Sequence, residues 1–402
     1  MDLQSGYPYS LVKYGLPNDY PKLDRDLRTT VTVIGGGISG ALTAHALVQA
    51  GIDCVVLDAR TVGLGSTLAS TSLLQYEIDI PLTRLMQKIG RVGAERAYRL
   101  CADSISTLAG ISKRLPGVPF EMRPSLYLAS WQKHLPLIEA EHKARRAMGL
   151  DVLLWDADTV KHTIGFDAPG AIYSRTGAQT DAYLLTHGLH RYNIKKGAQV
   201  YDRTLVTDIQ CHKKGAVLTT ATGHTVRTRN IIIATGYESL QYIREKIVNL
   251  RSTYAIAGEH SETAMPWYEN CLIWETKDPY LYMRVTTDHR ILAGGRDEKF
   301  YNPARRDKLL KTKTRQLEQD VRRRFPHIPF HAEFSWTGTF GSTQDGLPYI
   351  GEYPRMPHTY FALGFGGNGI TFSQVAAEIV CRLVQGKKHP DAALFSFSRY
   401  KG

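Results

Sequence analysis

Six residues near the start of the chain, Gly35-Gly36-Gly37-Ile38-Ser39-Gly40, have the spacing GxGxxG, and Asp58 follows eighteen residues after the last glycine. This is chemistry for a dinucleotide. Gly35 permits a tight turn, Gly37 lets the backbone approach a pyrophosphate, and Gly40 lets a helix pack closely on a strand. Ile38 and Ser39 open that helix, whose free N–H groups and positive dipole end favour phosphate. Asp58 can accept hydrogen bonds from both ribose hydroxyls and would repel a 2′-phosphate. A second set lies in Tyr280-Leu-Tyr-Met-Arg-Val285, where strand alternation puts Tyr280, Tyr282 and Arg284 on one face. After a turn at Thr287-Asp288, Arg290-Ile-Leu-Ala-Gly-Gly-Arg296 reads as the returning strand. Arginines in a fork, helped by a tyrosine hydroxyl, suit a substrate carboxylate. The alternative is that the arginines face solvent and the tyrosines cap a sheet.

The elements that would position these groups are visible on either side. Val31-Thr-Val-Ile34 is a short β-branched run, as a buried parallel strand requires. Ala41 to Ala50 reads as a helix stopped by Gly51, and Ile52 to Leu57 as a second strand that delivers Asp58, Ala59 and Arg60. Strand, glycines, helix, strand and acid occur in the order the motif needs. An NAD enzyme would continue with a second regular mononucleotide half. Here Thr61 to Ser72 is instead dense in glycine and hydroxyls, with Gly65, Ser66 and Thr67 at its centre, and can line an extended cofactor. Much later, Asn230 to Gly236 is a buried strand ending in Ala234-Thr235-Gly236. Tyr360 to Thr371 is a strand followed by the glycine-rich loop Gly364-Phe-Gly-Gly-Asn-Gly369. That loop opens a helix with Phe372, Val375, Ala376, Ile379 and Leu383 on one face, closed by Gly386. Its N-terminus can stabilise negative charge on a reduced ring system. Together these features point to FAD.

In that order, the N-terminal fingerprint, the Ala-Thr-Gly strand and the GFGGNGIT helix resemble the D-amino-acid oxidase family of FAD-dependent amine oxidoreductases, which includes glycine and sarcosine oxidases and γ-glutamylputrescine oxidoreductases. The resemblance runs from about Val31 to Val384. It implies an α/β plus α+β fold, a Rossmann-type FAD-binding domain interleaved with a mixed β-sheet substrate domain. The FAD domain is expected at 1–117, 178–247 and 336–402, and the substrate domain at 118–177 and 248–335. Cofactor contacts are implied at Gly35, Gly37, Ile38, Ser39, Gly40, Asp58, Ala59, Arg60, Gly65, Ser66, Thr67, Val206, Ala234, Thr235 and Gly236. In the last loop they are implied at Gly366, Gly367, Asn368, Gly369, Ile370 and Thr371. The substrate hairpin supplies Tyr282, Arg284 and Arg296, and Tyr254 and Trp336 stand at the crossings between domains. Some family members attach FAD through a histidine or cysteine. Leu68 and Ala69 stand where the histidine would fall, and 336–351 contains no cysteine, so FAD is expected to be non-covalent. The implied reaction is oxidation of the C–N bond of a small amine or amino acid to an imine, by hydride transfer to flavin N5.

Composition leaves other readings open. Five scattered cysteines without a CxxC pair argue against a disulfide framework or thiolate metal site and fit a reducing cytoplasm. Fourteen histidines lack metal-ligand spacing, so no metal is expected. No apolar run is long enough to span a bilayer, and the N-terminus lacks the pattern of a secretory signal. The net charge is +12, and residues 305–324 hold nine Lys or Arg against three Asp or Glu. Asn302-Pro303 with Leu310, Leu317, Val321 and Phe325 predicts an amphipathic helix there, with a solvated basic face or a docking face for an acidic partner. Two alternatives therefore stand beside a small-molecule amine oxidoreductase. One is a flavoenzyme acting on an aminomethyl group of a modified tRNA base, and the other a non-enzymatic flavin-binding sensor. Glu77 reads as a rim residue of the cavity or as a surface carboxylate. The oligomeric state is left open.

Overall fold

The computed structural model describes residues 1–261, 265–363 and 366–399. Two large sheets organise them. In the first, the strand Leu27–Ile34 runs parallel to Cys54–Leu57 on one side and to Thr225–Ile233 on the other. Gln199–Tyr201 and Thr359–Leu363 extend the parallel set outward. Alternation divides these strands between two cores. Val31, Val33, Cys54, Val56 and Ile232 face a core shared with the helices Ile38–Gln49, Arg91–Ser112, Ala182–Lys195 and Gly369–Val384. Ile34, Val55, Leu57, Ile231 and Ile233 face another, shared with Leu218, Tyr349 and Phe361. Burial on both faces is why the strands read as unbroken apolar runs rather than alternating ones.

The second sheet has nine strands and is antiparallel except where Leu272–Glu275 runs beside Ser125–Leu128. Its centre is Asn249–Gly258, Ile291–Glu298 and Tyr282–Val285. One face packs under the helix Pro303–Arg324, with Ile256, Met283, Val285, Leu317, Val321 and Phe325 in a single apolar cluster. Asn302 caps this helix by accepting from Arg305 N–H at 2.9 Å. The basic stretch is thus a helix, and several of its cations are engaged within the chain: Arg306 with Asp2 and Asp307, Lys313 with Glu298, and Arg324 with Glu275. Leu73–Leu74, Ala178–Thr180 and Phe120–Met122 form a third, three-stranded antiparallel sheet.

The nine-stranded sheet reaches further along the chain than the expected segments. Ala332–Ser342 is one continuous strand across the boundary drawn at 336, and Gln4–Gly6, assigned to the FAD segment, pairs with it. Both segments therefore lie in the sheet that covers the cavity. Among the described residues, no helix is long and apolar enough to cross a membrane.

Candidate active site between the two sheets

The C-terminal ends of the parallel strands open into a cavity of about 630 Å³, closed from the other side by the nine-stranded sheet. Crevices beyond the carboxyl ends of parallel strands are where open α/β sheets bind ligands. At the Rossmann end the wall is mostly backbone. Gly35 adopts φ +106°, and a Cβ there would sit 2.5 Å from the Ala234 carbonyl oxygen. A Cβ on Gly40 would overlap the Gly35 carbonyl oxygen, so this position must be bare for the helix to start against the strand. Asp58 accepts from Gly36 N–H at 2.6 Å and from Arg60 N–H at 2.8 Å, and it lines the cavity. Burial pushes its pKa up, and these two N–H donors oppose that shift. The Arg60 side chain is held by Glu238.

The hydroxyl-rich run closes over the glycines. Thr67 Oγ1 accepts from Ile38 N–H at 3.0 Å, while the buried Ser66 Oγ has no partner. Of the expected cofactor residues, Gly35, Gly37, Ile38, Ser39, Asp58, Ala59, Arg60, Gly65, Ser66, Thr67, Val206, Ala234, Thr235, Gly236, Gly366, Gly367, Gly369 and Ile370 line the cavity. Gly40, Asn368 and Thr371 do not. Gly40 is a packing glycine, Thr371 bonds back to the Asn368 carbonyl, and Asn368 donates to the carbonyls of Gln75 and Glu77. Asn368 therefore fastens the loop rather than touching a ligand. Gly364 and Phe365, part of the same expected loop, lie outside the described residues.

The sheet end is built from side chains. Leu281, Met283 and Val285 enter the core under the helix, and Tyr280 and Tyr282 face the cavity with ring centroids 5.8 Å apart. The Tyr282 ring lies against Gly294, its cross-strand partner, and a Cβ at 294 would overlap the Tyr282 hydroxyl and ring. Tyr280 donates to Asp79 Oδ1 at 3.1 Å, and Gly367 N–H donates to Asp79 Oδ2 at 2.8 Å. Burial pushes the pKa of Asp79 up, and these two donors oppose it.

The expected arginine fork is not assembled here. Arg284 is buried but does not line the cavity. Its Nε donates to the Thr71 carbonyl at 2.6 Å and its Nη1 to Gln179 at 3.4 Å, so it holds the hydroxyl-rich run in place. Arg296 lies on the opposite side of the sheet, paired with Asp320 of the helix through Nε (2.7 Å) and Nη2 (2.5 Å). The cause is a bulge. Tyr254 pairs with Gly295 and Ser252 with Glu298, so Arg296 and Asp297 together oppose the single residue Thr253. Gly295 at φ +140° and Arg296 at φ +57° absorb the extra residue. The alternation inverts, and Asp297 takes the place on the cavity wall that plain alternation gives Arg296. Tyr254 and Trp336 are likewise off the cavity. Tyr254 is in the helix-side core with its hydroxyl on the Arg306 carbonyl, and Trp336 donates from Nε1 to the Ala69 carbonyl at 3.0 Å. Glu77 is neither at the rim nor on the surface: it is buried against Arg145, which also binds Glu141.

Sequence reasoning missed Asp79 and Asp297. Burial, with the charge of Asp79 nearby, raises the Asp297 pKa to about 7, while Thr253 beside it opposes the rise. The only sequence signal for the bulge was the Gly294-Gly295 pair inside a strand.

The cavity fits FAD in its details. Gly35 and Gly37 leave no room for a Cβ, Gly37 and Ile38 at the helix N-terminus line the cavity, and the buried Ser66 hydroxyl has no partner within the chain. No histidine or cysteine lines it among the described residues, so a non-covalent cofactor is accommodated. The family model DAO, FAD dependent oxidoreductase, matches residues 30–383. The chain is similar to γ-glutamylputrescine oxidoreductase of Escherichia coli (strain K12), 24% identical over 95% of this chain and 89% of that one. It is similar to glycine oxidase of Geobacillus kaustophilus, 24% identical over 93% and 98%. A crystal structure of glycine oxidase from Geobacillus kaustophilus shares the fold, with a TM-score of 0.78 at 21% identity, over 94% of this chain and 100% of that one. The chain belongs to the D-amino-acid oxidase (DAO) family of FAD-dependent oxidoreductases, and it is an enzyme whose cofactor is FAD.

Proposed function

We propose that this enzyme oxidises the C–N bond of a small amine or amino acid. The observation that carries the reading is the continuity of one cavity from the Asp58 end, through the glycine and hydroxyl cradle, to the wall of Tyr280, Tyr282 and Asp297. Relatives that include a glycine oxidase, a γ-glutamylputrescine oxidoreductase and one component of an opine oxidase support the substrate class. When bound, FAD supplies a two-electron acceptor at N5 for a hydride from the carbon beside the substrate nitrogen, leaving an imine that water hydrolyses.

The protein's part is to bind, orient and dry the site. Tyr282, braced on Gly294, and Tyr280, braced on Asp79, form a fixed aromatic wall. Asp79 also holds the Gly367 N–H, which fixes the loop at the start of the Gly369–Val384 helix. That helix N-terminus lines the cavity and would favour negative charge on a bound flavin. Unpaired cysteines are consistent with a reducing compartment. The test is anaerobic mixing with D-amino acids, glycine, sarcosine and polyamine derivatives. Bleaching of the flavin by any of them is expected, and failure with all would sink the reading. Reoxidation in air then shows whether oxygen is the acceptor.

A further inference from the structure

Resting on that amine reading, the sheet end of the cavity carries a preference within the class. No Lys, Arg or His lines it among the described residues. The hairpin arginines are engaged elsewhere, Arg284 by the Thr71 carbonyl and Arg296 by Asp320, and Arg60 lies at the Rossmann end on Glu238. An α-amino acid would therefore place its carboxylate beside Asp297 with no cation on that wall to receive it, because Arg251, whose charge Asp297 feels, does not line the cavity and pairs with Asp278. Above about pH 7, where Asp297 is charged, the two carboxylates repel strongly in a water-poor site. An ammonium meets the reverse situation. Asp297 lines the wall with Oδ1 buried and without a hydrogen-bond partner, and the rings of Tyr280 and Tyr282 stand on the same wall. A carboxylate oxygen lacking a donor, beside aromatic faces, is a receptor for a positively charged nitrogen.

The nitrogen that gives up a hydride from its neighbouring carbon must be neutral, so the ion-paired nitrogen is a different one. We propose that the substrate is an amine carrying a second, positively charged nitrogen and no carboxylate on the reacting carbon, and that Asp297 binds this second nitrogen. Asp297 thereby becomes the specificity residue of the sheet end.

The test compares putrescine with pentylamine, which has nearly the same length but one nitrogen, and with glycine and sarcosine. It uses the FAD-loaded wild type and Asp297→Asn. For wild type, putrescine should reduce the flavin with the highest kcat/KM. In D297N the KM for putrescine should rise roughly ten- to hundredfold, the loss of one hydrogen bond to a charged group, and that for pentylamine should change far less. A readout independent of turnover is the melting temperature with tetramethylammonium, a cation with no N–H to lose. It should rise for wild type and not for D297N, whose unchanged flavin spectrum would show intact folding. Preference for glycine, sarcosine or pentylamine, equal effects of D297N on both amines, or equal thermal shifts in the two proteins would overturn the assignment. If no amine or amino acid bleaches the flavin, the amine reading itself fails and this inference falls with it.

Discussion

The two ends of the cavity are made of different material. The Rossmann end is backbone: glycines without room for a Cβ, N–H groups at a helix start, and a carboxylate held by two amides. The sheet end is side chains, Tyr280, Tyr282 and Asp297, whose facing depends on strand register. Backbone sites follow from residue spacing along the chain and tolerate little change. Side-chain sites follow from tertiary register and can be retuned without losing the cofactor.

Substitutions at matched positions can break that comparison. The largest effect is expected at Gly40→Ala, where the new methyl overlaps the Gly35 carbonyl oxygen within the packed unit. Overpacking of this kind costs about 1–3 kcal/mol or more, and the variant should purify without flavin, as its absorbance would show. Asp58→Ala removes the acceptor that holds two backbone amides at the Rossmann end of the cavity. FAD affinity should weaken by about 1.5–3 kcal/mol, measured by titrating apoprotein with FAD. Gly294→Ala is the counterpart at the other end. Its methyl displaces the Tyr282 ring, so turnover should fall roughly tenfold while FAD affinity is unchanged. Loss of flavin in this variant would show that the two ends are not separable.

A smaller effect comes from pH. Burial, with Asp79 and Asp278 nearby, raises the Asp297 pKa to about 7, while Thr253 and Arg251 oppose the rise. The group is neutral below that pH and charged above it. Binding of a cationic substrate should therefore strengthen as pH rises through about 7, and the slope should vanish in D297N. The sign for stability is opposite. A carboxyl whose folded pKa lies above its unfolded one takes stability away as pH rises between the two values. Ligand-free D297N should thus melt at a higher temperature than wild type above neutral pH. The smallest effect on the site is expected at Arg296→Gln. Its bidentate pair with the buried Asp320 lies away from the cavity, so stability should fall by about 1.5–3 kcal/mol while turnover does not change. A large loss of activity there would return Arg296 to the site.

The same division explains what was legible in the sequence. The Val31–Ile34 strand, its glycines and Asp58 are contiguous or nearly so, and their spacing is the geometry. The basic helix was readable from Asn302-Pro303 and its apolar period, and the observed helix begins at Pro303. Tyr280 and Tyr282 were readable because the strand Tyr282–Val285 alternates without interruption. Arg296 and Asp297 were not, because one inserted residue at Gly295–Arg296 exchanges the two faces of the sheet. Asp79 was hidden for another reason: its partners Tyr280 and Gly367 lie far along the chain, and no local pattern marks it. Trp336 and Arg284 have residue types that suit a substrate wall, yet each bonds to a carbonyl of the hydroxyl-rich run and fixes that run.

The most direct measurement is a single anaerobic turnover with product analysis. FAD-loaded enzyme is mixed with putrescine, and the bleached flavin is counted against 4-aminobutanal, measured together with the cyclic imine it forms by condensing with its own second amine. One cavity serving cofactor and amine together predicts one aldehyde per flavin reduced. A flavin that stays oxidised with every amine and amino acid, or that bleaches without releasing a carbonyl product, would contradict it.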